Sequence, residues 1–598
     1  MTVNERIAWV RRRMEENGID ACIIPSADPH MSEYVSDHWK TRAYISGFSG
    51  SAGTVVITRE MSGLWTDGRY YVQAAKEIAG SEVTLFRAAD QGCPTPSAYL
   101  AEQLPEGAVV GVNGRLFSAG AVEKMRGEFS KKGIVLELRA DYANELWETV
   151  EKTRPAEVFT EAFLLDVQYA GRSAAEKLAE LREKLEKAGA DAIAVSKLDN
   201  IAWLFNIRSD DIENNPVVIS YAFISAEEAL LFTENSRVPE AVRSGLEKEG
   251  VSLRPYEKIY SYLEKLDGQL RVLCDKQELN GELLSCIEEN EALTAVPGED
   301  PIPLMKACKN ETENRNTHNA YLKDGCALAE FYGWLYEELA QGTALTEYDC
   351  VEKLAEFRRA QPLNRGDSFG AIIAYRENAA MMHYAPKPGA SKKLDKSHFL
   401  LIDSGGQYLD GTTDITRTFA LGEVNETERF DFTLTLKGSI ALLEAVFKYG
   451  ASGKQLDALC REYFWREGLD YRCGTGHGVG FMLNVHEGPQ GFGSDVKLEE
   501  GMVLTVEPGV YREGEHGIRT ENVVEVVKGD DTEYGQMMRF CMFTLVPIDT
   551  NCLDVSMLTD HEIAWLNAYH ERVWEKVSPL VSERAKNWLY RYTRPISR

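Results

Sequence analysis

No stretch of this 598-residue chain approaches the ~20 consecutive apolar residues that cross a bilayer, so no membrane span is expected. The opening run Met1 to Arg13 lacks the apolar segment of a signal peptide. There is no Cys-x-x-Cys pair, and the eleven cysteines are odd in number. That pattern argues for free thiols in a reducing compartment, and a cytoplasmic location is expected. Positive charge is also short, with 66 Lys and Arg against 94 Asp and Glu, a formal net charge of −28. Such a balance opposes phosphate backbones and excludes a nucleic-acid partner. Arg11-Arg12-Arg13 reads as the polar face of the first helix, and the acidic residues are spread along the chain as a solvated surface. What remains, 44% hydrophobic and 27% charged residues, is the composition of an ordinary globular protein too long for one core.

A weak internal echo organises the first half. Glu16-Asn17-Gly18-Ile19-Asp20-Ala21-Cys22-Ile23-Ile24 and Lys187-Ala188-Gly189-Ala190-Asp191-Ala192-Ile193-Ala194-Val195 both follow a charged amphipathic helix and both lead into an apolar strand. Two copies of one α/β unit, offset by 171 residues (Gly18 to Gly189), are the economical reading. Boundaries near Pro155 and Lys306 give domains at 1–155 and 156–308, followed by a mixed α+β part at 309–560 and a helical extension at 561–598. The third part begins as helix from about Asn310 and continues into strands separated by a helix from Phe430 to Tyr449. Its active-site residues are expected on a curved antiparallel sheet. The extension carries Trp565, Trp574 and Trp588 and is expected to dock on the surface or at a dimer contact.

Five residues of the third part carry the chemistry. Asp403 ends the apolar run Phe399-Leu400-Leu401-Ile402, where an ionised carboxylate is costly unless compensated. Asp414 lies in the β-branched segment Asp410 to Thr418, and an antiparallel return would set it beside Asp403. Glu507 closes the strand-like Met502 to Val506, and Glu521 lies in Gly517 to Val524, read as one strand with Arg519 and Glu521 on the same face. His477 sits among four glycines in Cys473 to Gly480, a frame that permits close backbone approach. Taken singly, each is an ordinary turn, cap or surface residue; together they make a ligand set for two divalent cations able to activate a bridging water. Oxygen-rich coordination with one imidazole suits manganese, iron or cobalt better than a thiolate zinc site. Four carboxylates balance two dications. His383 and His486 stand outside the carboxylate set and are assigned to the substrate.

At these residues the chain resembles the Xaa-Pro aminopeptidases (aminopeptidase P), a branch of the pita-bread metallopeptidases. The matching strings are LLIDSGGQYLDGTTDITRT, GTGHGVG, NVHEGP, VEPGV and GIRTENVV, with WTDGRYYVQA and KNETENRNTHNAYLKDG upstream. The resemblance extends over nearly the whole chain and is to the long, three-domain cytosolic form. It implies two creatinase-like N-terminal α/β domains before the pita-bread catalytic domain, a homodimer, and hydrolysis of the N-terminal Xaa-Pro bond of peptides with proline second. It further implies that Asp403 chelates one metal, Asp414 and Glu521 bridge both, and His477 and Glu507 complete the other. Manganese is the expected metal, with zinc or cobalt as alternatives. Glu507 would also shuttle a proton, His383 and His486 would contact the substrate and the developing oxyanion, and Arg519 would support the carboxylates. Arg69 resembles a substrate-side arginine. One position departs from the pattern: the family's histidine four residues before His477 is here Cys473, which places the fit of the proline pocket and its pH dependence in question.

Two other readings fit less well. A prolidase-type Xaa-Pro dipeptidase has similar ligands, but the chain length and duplicated N-terminal units favour the aminopeptidase. A pita-bread domain kept only as a peptide-binding protein would be expected to lose ligands, and all five are present.

Overall fold

Thr2 starts the first helix, Val3–Glu16, by accepting from the Glu5 N–H while Glu5 returns a bond to the Thr2 N–H. Ile7, Val10 and Met14 form its buried stripe. The second repeat reproduces this in register: helix Ala174–Lys187 buries Leu178, Leu181 and Leu185, each 171 positions later. The computed structural model describes all residues, 1–598. The chain divides into two compact units, Met1–Leu164 with Ala174–Glu213 and Val217–Pro301, and Leu165–Ser173 with Asn214–Pro216 and Ile302–Arg598.

The first unit holds two six-stranded sheets of the same topology. In one, Ala21–Pro25 pairs antiparallel with Thr54–Thr58 and parallel with Val109–Gly111. In the other, Ala192–Val195 pairs antiparallel with Ser220–Ser225 and parallel with Leu270–Cys274. Both sheets end on parallel edge strands at each side. The duplicated α/β unit expected from the sequence is present, strand for strand.

The second unit begins on the 31-residue helix Glu311–Gln341, opened by an Asn310–Glu313 capping box and closed by Gly342 at φ 84°. Every strand pairing after it is antiparallel. A three-stranded sheet orders Ile372–Tyr375, Phe399–Ser404 and Ile415–Ala420, and a six-stranded sheet contains Val503–Val506, Asn522–Thr532 and the short His477–Gly478. Two local expectations are corrected. The segment 517–524 is two strands, His516–Arg519 and Asn522–Thr532. At Thr520 and Glu521 the backbone hands its hydrogen bonds from Pro508 to Thr416 across sheets. The helix expected to reach Tyr449 runs over Glu426–Leu443. Val446–Lys448 then turns into an edge strand because Val446 and Lys448 face out while Phe447 faces in.

The tail helices, Asp560–Val577 and Glu583–Tyr592, dock deeply. Leu566, Val573, Trp588 and Leu589 are buried in the same cluster as Tyr332, Phe399 and Phe419. The Trp588 and Tyr332 rings stack at 4.9 Å. No helix of the protein is long and apolar enough to cross a membrane.

Candidate metal centre

Two strand ends meet at this site. Asp403 pairs with Thr416 and Ser404 with Ile415, so Asp414 stands one residue before the returning strand. The intervening chain makes a short excursion through Gly406–Tyr408 and Gly411–Thr412. Gly405 permits the close crossing, since a Cβ there would lie 1.9 Å from the Thr413 carbonyl oxygen. In the larger sheet Val506 pairs with Asn522, which places Glu507 and Glu521 at the same end of the ladder. Thr416 joins the two sheets: its carbonyl accepts from the Glu521 N–H at 3.1 Å, and its hydroxyl donates to Glu521 Oε2 at 2.8 Å. His477 is brought in by its N–H donating to Thr505 Oγ1 at 3.0 Å. Gly476 allows this approach, because a Cβ would fall 1.9 Å from the Thr505 carbonyl oxygen.

The ligating atoms of Asp414, His477 and Glu521 all lie within 4.8 Å of one another. His477 Nδ1 is 2.8 Å from the Gly478 carbonyl, which can only accept, so Nδ1 carries the proton and Nε2 keeps its lone pair. Nε2 is 3.5 Å from both Asp414 Oδ2 and Glu507 Oε1. Burial, with His486 adding to it, pushes the His477 imidazole down to about 3, so the ring is neutral at neutral pH. Burial and then repulsion from neighbouring carboxylates hold Asp414 and Glu521 well above the usual carboxylate range. Burial raises Glu507 to about 7, opposed by Arg519 and reinforced by Asp403. Asp403 Oδ1 is buried without a hydrogen-bond partner. A lone pair aimed at carboxylate oxygens, an orphaned carboxylate oxygen and mutually repelling acids are satisfied together by cations, so the residues present fit a divalent-metal pair.

Arg519 approaches Asp403 Oδ2 through Nη2, donates from Nε to Thr416 Oγ1 at 3.2 Å and from Nη1 to the Tyr511 hydroxyl at 2.7 Å. Tyr321 accepts from the Asp414 N–H at 3.1 Å. Thr416, Thr505, Tyr321 and Tyr511 escaped the sequence reading. The alternation Asp414, Thr416, Thr418 along one strand face was the only signal for Thr416. His486 is exposed just before strand Glu487–Gly491, its ring edge-on to His477 with centroids 4.2 Å apart. His383 lies on the exposed turn after the helical Arg376–Ala380, where the neighbouring Tyr384 hydroxyl donates to buried Glu347. Cys473 is half-buried; burial and the Glu507 charge push its thiol up to about 11, against Arg519 and a hydrogen bond with Tyr511. Arg69 belongs to the first unit, on the turn before helix Tyr71–Glu77, with its guanidinium paired to Asp67 at 2.7 Å.

Antiparallel sheets carrying such a cluster, preceded by duplicated α/β repeats, define a pita-bread metallopeptidase. Residues 316–528 match metallopeptidase family M24, 536–596 match the C-terminal region of that peptidase, and 6–139 and 153–313 match creatinase/prolidase N-terminal domains. Aminopeptidase P2 of Arabidopsis thaliana is 40% identical over 100% of this chain and 89% of its own length. The crystal structure of the X-prolyl aminopeptidase of Caenorhabditis elegans, described as a cytosolic enzyme with a di-nuclear active site, is 34% identical. It covers 100% of both chains with a TM-score of 0.92. The chain therefore belongs to the aminopeptidase P family of M24 metallopeptidases.

Proposed function

We propose that this protein removes the N-terminal residue from peptides whose second residue is proline, using a pair of divalent cations. The observation that carries the reading is the approach of Asp414, Glu507 and Glu521 to a neutral His477 Nε2, with the unpartnered Asp403 Oδ1 in electrostatic range of the same carboxylates. On this reading Asp403 would hold one cation, His477 and Glu507 the other, and Asp414 and Glu521 would serve both. When bound, the cations supply a nucleophilic hydroxide at neutral pH and polarise the scissile carbonyl. Glu507, beside the shared water on this reading, would take a proton from it and pass it to the leaving proline nitrogen. His486 and His383 donate to the substrate backbone and to the developing oxyanion. Arg519 fixes the carboxylate of Asp403. Arg69 contributes a substrate contact, and Cys473 lines the proline pocket.

The same reading makes manganese the resident metal, with zinc or cobalt able to replace it, because hard oxygen donors dominate the set. It also makes the protein a cytoplasmic homodimer; the cytosolic Caenorhabditis elegans neighbour supports the compartment. The test is turnover of an Arg-Pro-Pro-type peptide after chelation and after readdition of manganese, zinc or cobalt. Release of free arginine, lost on chelation and restored by metal, is expected. Cleavage of Xaa-Pro dipeptides alone would make the protein a prolidase-type dipeptidase. Two bound metals without any turnover would make it a binding protein.

A further inference from the structure

We propose that the buried ion pair Asp324–Arg358 is a positioning device that sets the separation of Asp403 and Asp414. The inference rests on reading those aspartates as part of a two-metal centre. Asp324 lies on helix Glu311–Gln341 and Arg358 on helix Glu347–Arg359, with side chains 0% and 1% exposed. The guanidinium forks onto the carboxylate, Nε to Oδ1 at 2.7 Å and Nη2 to Oδ2 at 3.2 Å.

The pair also hydrogen-bonds the residues beside the two aspartates. Arg358 Nη2 donates to Ser404 Oγ at 3.0 Å, and Ser404 follows Asp403. The Thr413 hydroxyl donates to Asp324 Oδ2 at 2.8 Å, and Thr413 precedes Asp414. Tyr408, midway through the excursion between them, donates to Asp324 Oδ1 at 3.1 Å. Successive side chains on a strand point to opposite faces, so a tether gripping Ser404 from behind aims Asp403 forward. The Ser404–Ile415 pairing closes the mouth of the excursion, whose own strands are only two and three residues long. The ion pair adds a second, side-chain hold on both edges of that mouth from two helices.

Charge suits the role. A lone buried guanidinium behind the site would oppose dications in front of it. Paired with Asp324, it presents almost no net charge while keeping a planar fork that lysine does not have. Buried ion pairs are weak sources of stability, so the contribution of this one is geometric.

Thr413→Val and Ser404→Ala remove the tethers and leave the ion pair in place; Asp324→Asn disables the pair itself. Manganese affinity is measured by competition with a chromophoric chelator, and exchange coupling of the dimanganese form by electron paramagnetic resonance. Thermal unfolding of the metal-free proteins is followed in parallel. Each tether variant is expected to bind manganese about 10- to 100-fold more weakly, with altered coupling and a smaller fall in unfolding temperature than Asp324→Asn shows. Thr413→Val also takes an acceptor from the Gly406 N–H, so the double-variant arm uses Ser404→Ala, which should add no further loss in an Asp324→Asn background. Wild-type affinity and coupling in both tether variants would overturn the proposal. Should Asp324→Asn not fold, the tether variants decide alone. Wild-type protein that fails to bind two metals would instead overturn the metal-centre reading.

Discussion

Cys473 lies in electrostatic range of Glu507 and Arg519, so a change of side chain there reaches the proton-carrying carboxylate. Its thiol, pushed up to about 11, stays neutral through the physiological range. Cys473→His would place a group titrating near neutrality at that spot. The expected outcome is a new ionisation in the pH profile of kcat/KM and about a tenfold change in kcat/KM on Xaa-Pro peptides. An unchanged profile and rate would reduce Cys473 to packing. At this scale the five ligand candidates were legible because glycines and apolar runs make a carboxylate or imidazole conspicuous. Thr416 and Tyr511 were not, since a threonine in a strand and a tyrosine in a hairpin are commonplace until a neighbouring element supplies Glu521 or Arg519.

The hairpin Gly509–Arg512 and His516–Arg519 lies between Glu507 and Glu521 and carries Arg519 at its end. Asp431, fully buried on helix Glu426–Leu443, anchors it by accepting from Arg512 at 2.5 and 2.8 Å and from His516 at 2.8 Å. Asp431→Asn weakens the hydrogen bonds shared by the partly exposed Arg512 and the buried His516 and should cost roughly 2 kcal/mol of stability. Urea unfolding of the metal-free protein measures this, and an unchanged midpoint would show that the hairpin is held by its strand pairing alone. The break at Thr520–Glu521 was hidden because both residues flank strand-forming sequence. The early helix end was hidden because apolar residues resume after Glu444, in Ala445-Val446-Phe447, while the period changes from helix to strand.

For the whole molecule, the duplication was legible because the buried helix stripes repeat at one fixed offset. The depth at which the tail docks was not, since tryptophan content does not say which partner a helix covers. The charge cluster gives a global prediction. Glu507, Asp414 and Glu521 bind protons more tightly in the folded metal-free protein than in an unfolded chain. Their contribution to stability is therefore present below pH 4–5 and is lost as pH rises through the folded values, about 7 for Glu507. The unfolding temperature of metal-free protein should fall across that window, and manganese should reverse the fall while releasing protons into weakly buffered solution. Metal-free protein whose stability held or rose from pH 5 to 8, with no proton release on loading, would contradict this charge state.

The tail helices close the core around Phe399 and Phe419, so the second unit has no complete interior until Trp588 and Leu589 have been made. The first unit ends at Pro301 and can fold while synthesis continues. In a chain made from its N-terminus, the sheets that carry the acidic residues therefore gain their full backing only after helix Glu583–Tyr592 has emerged.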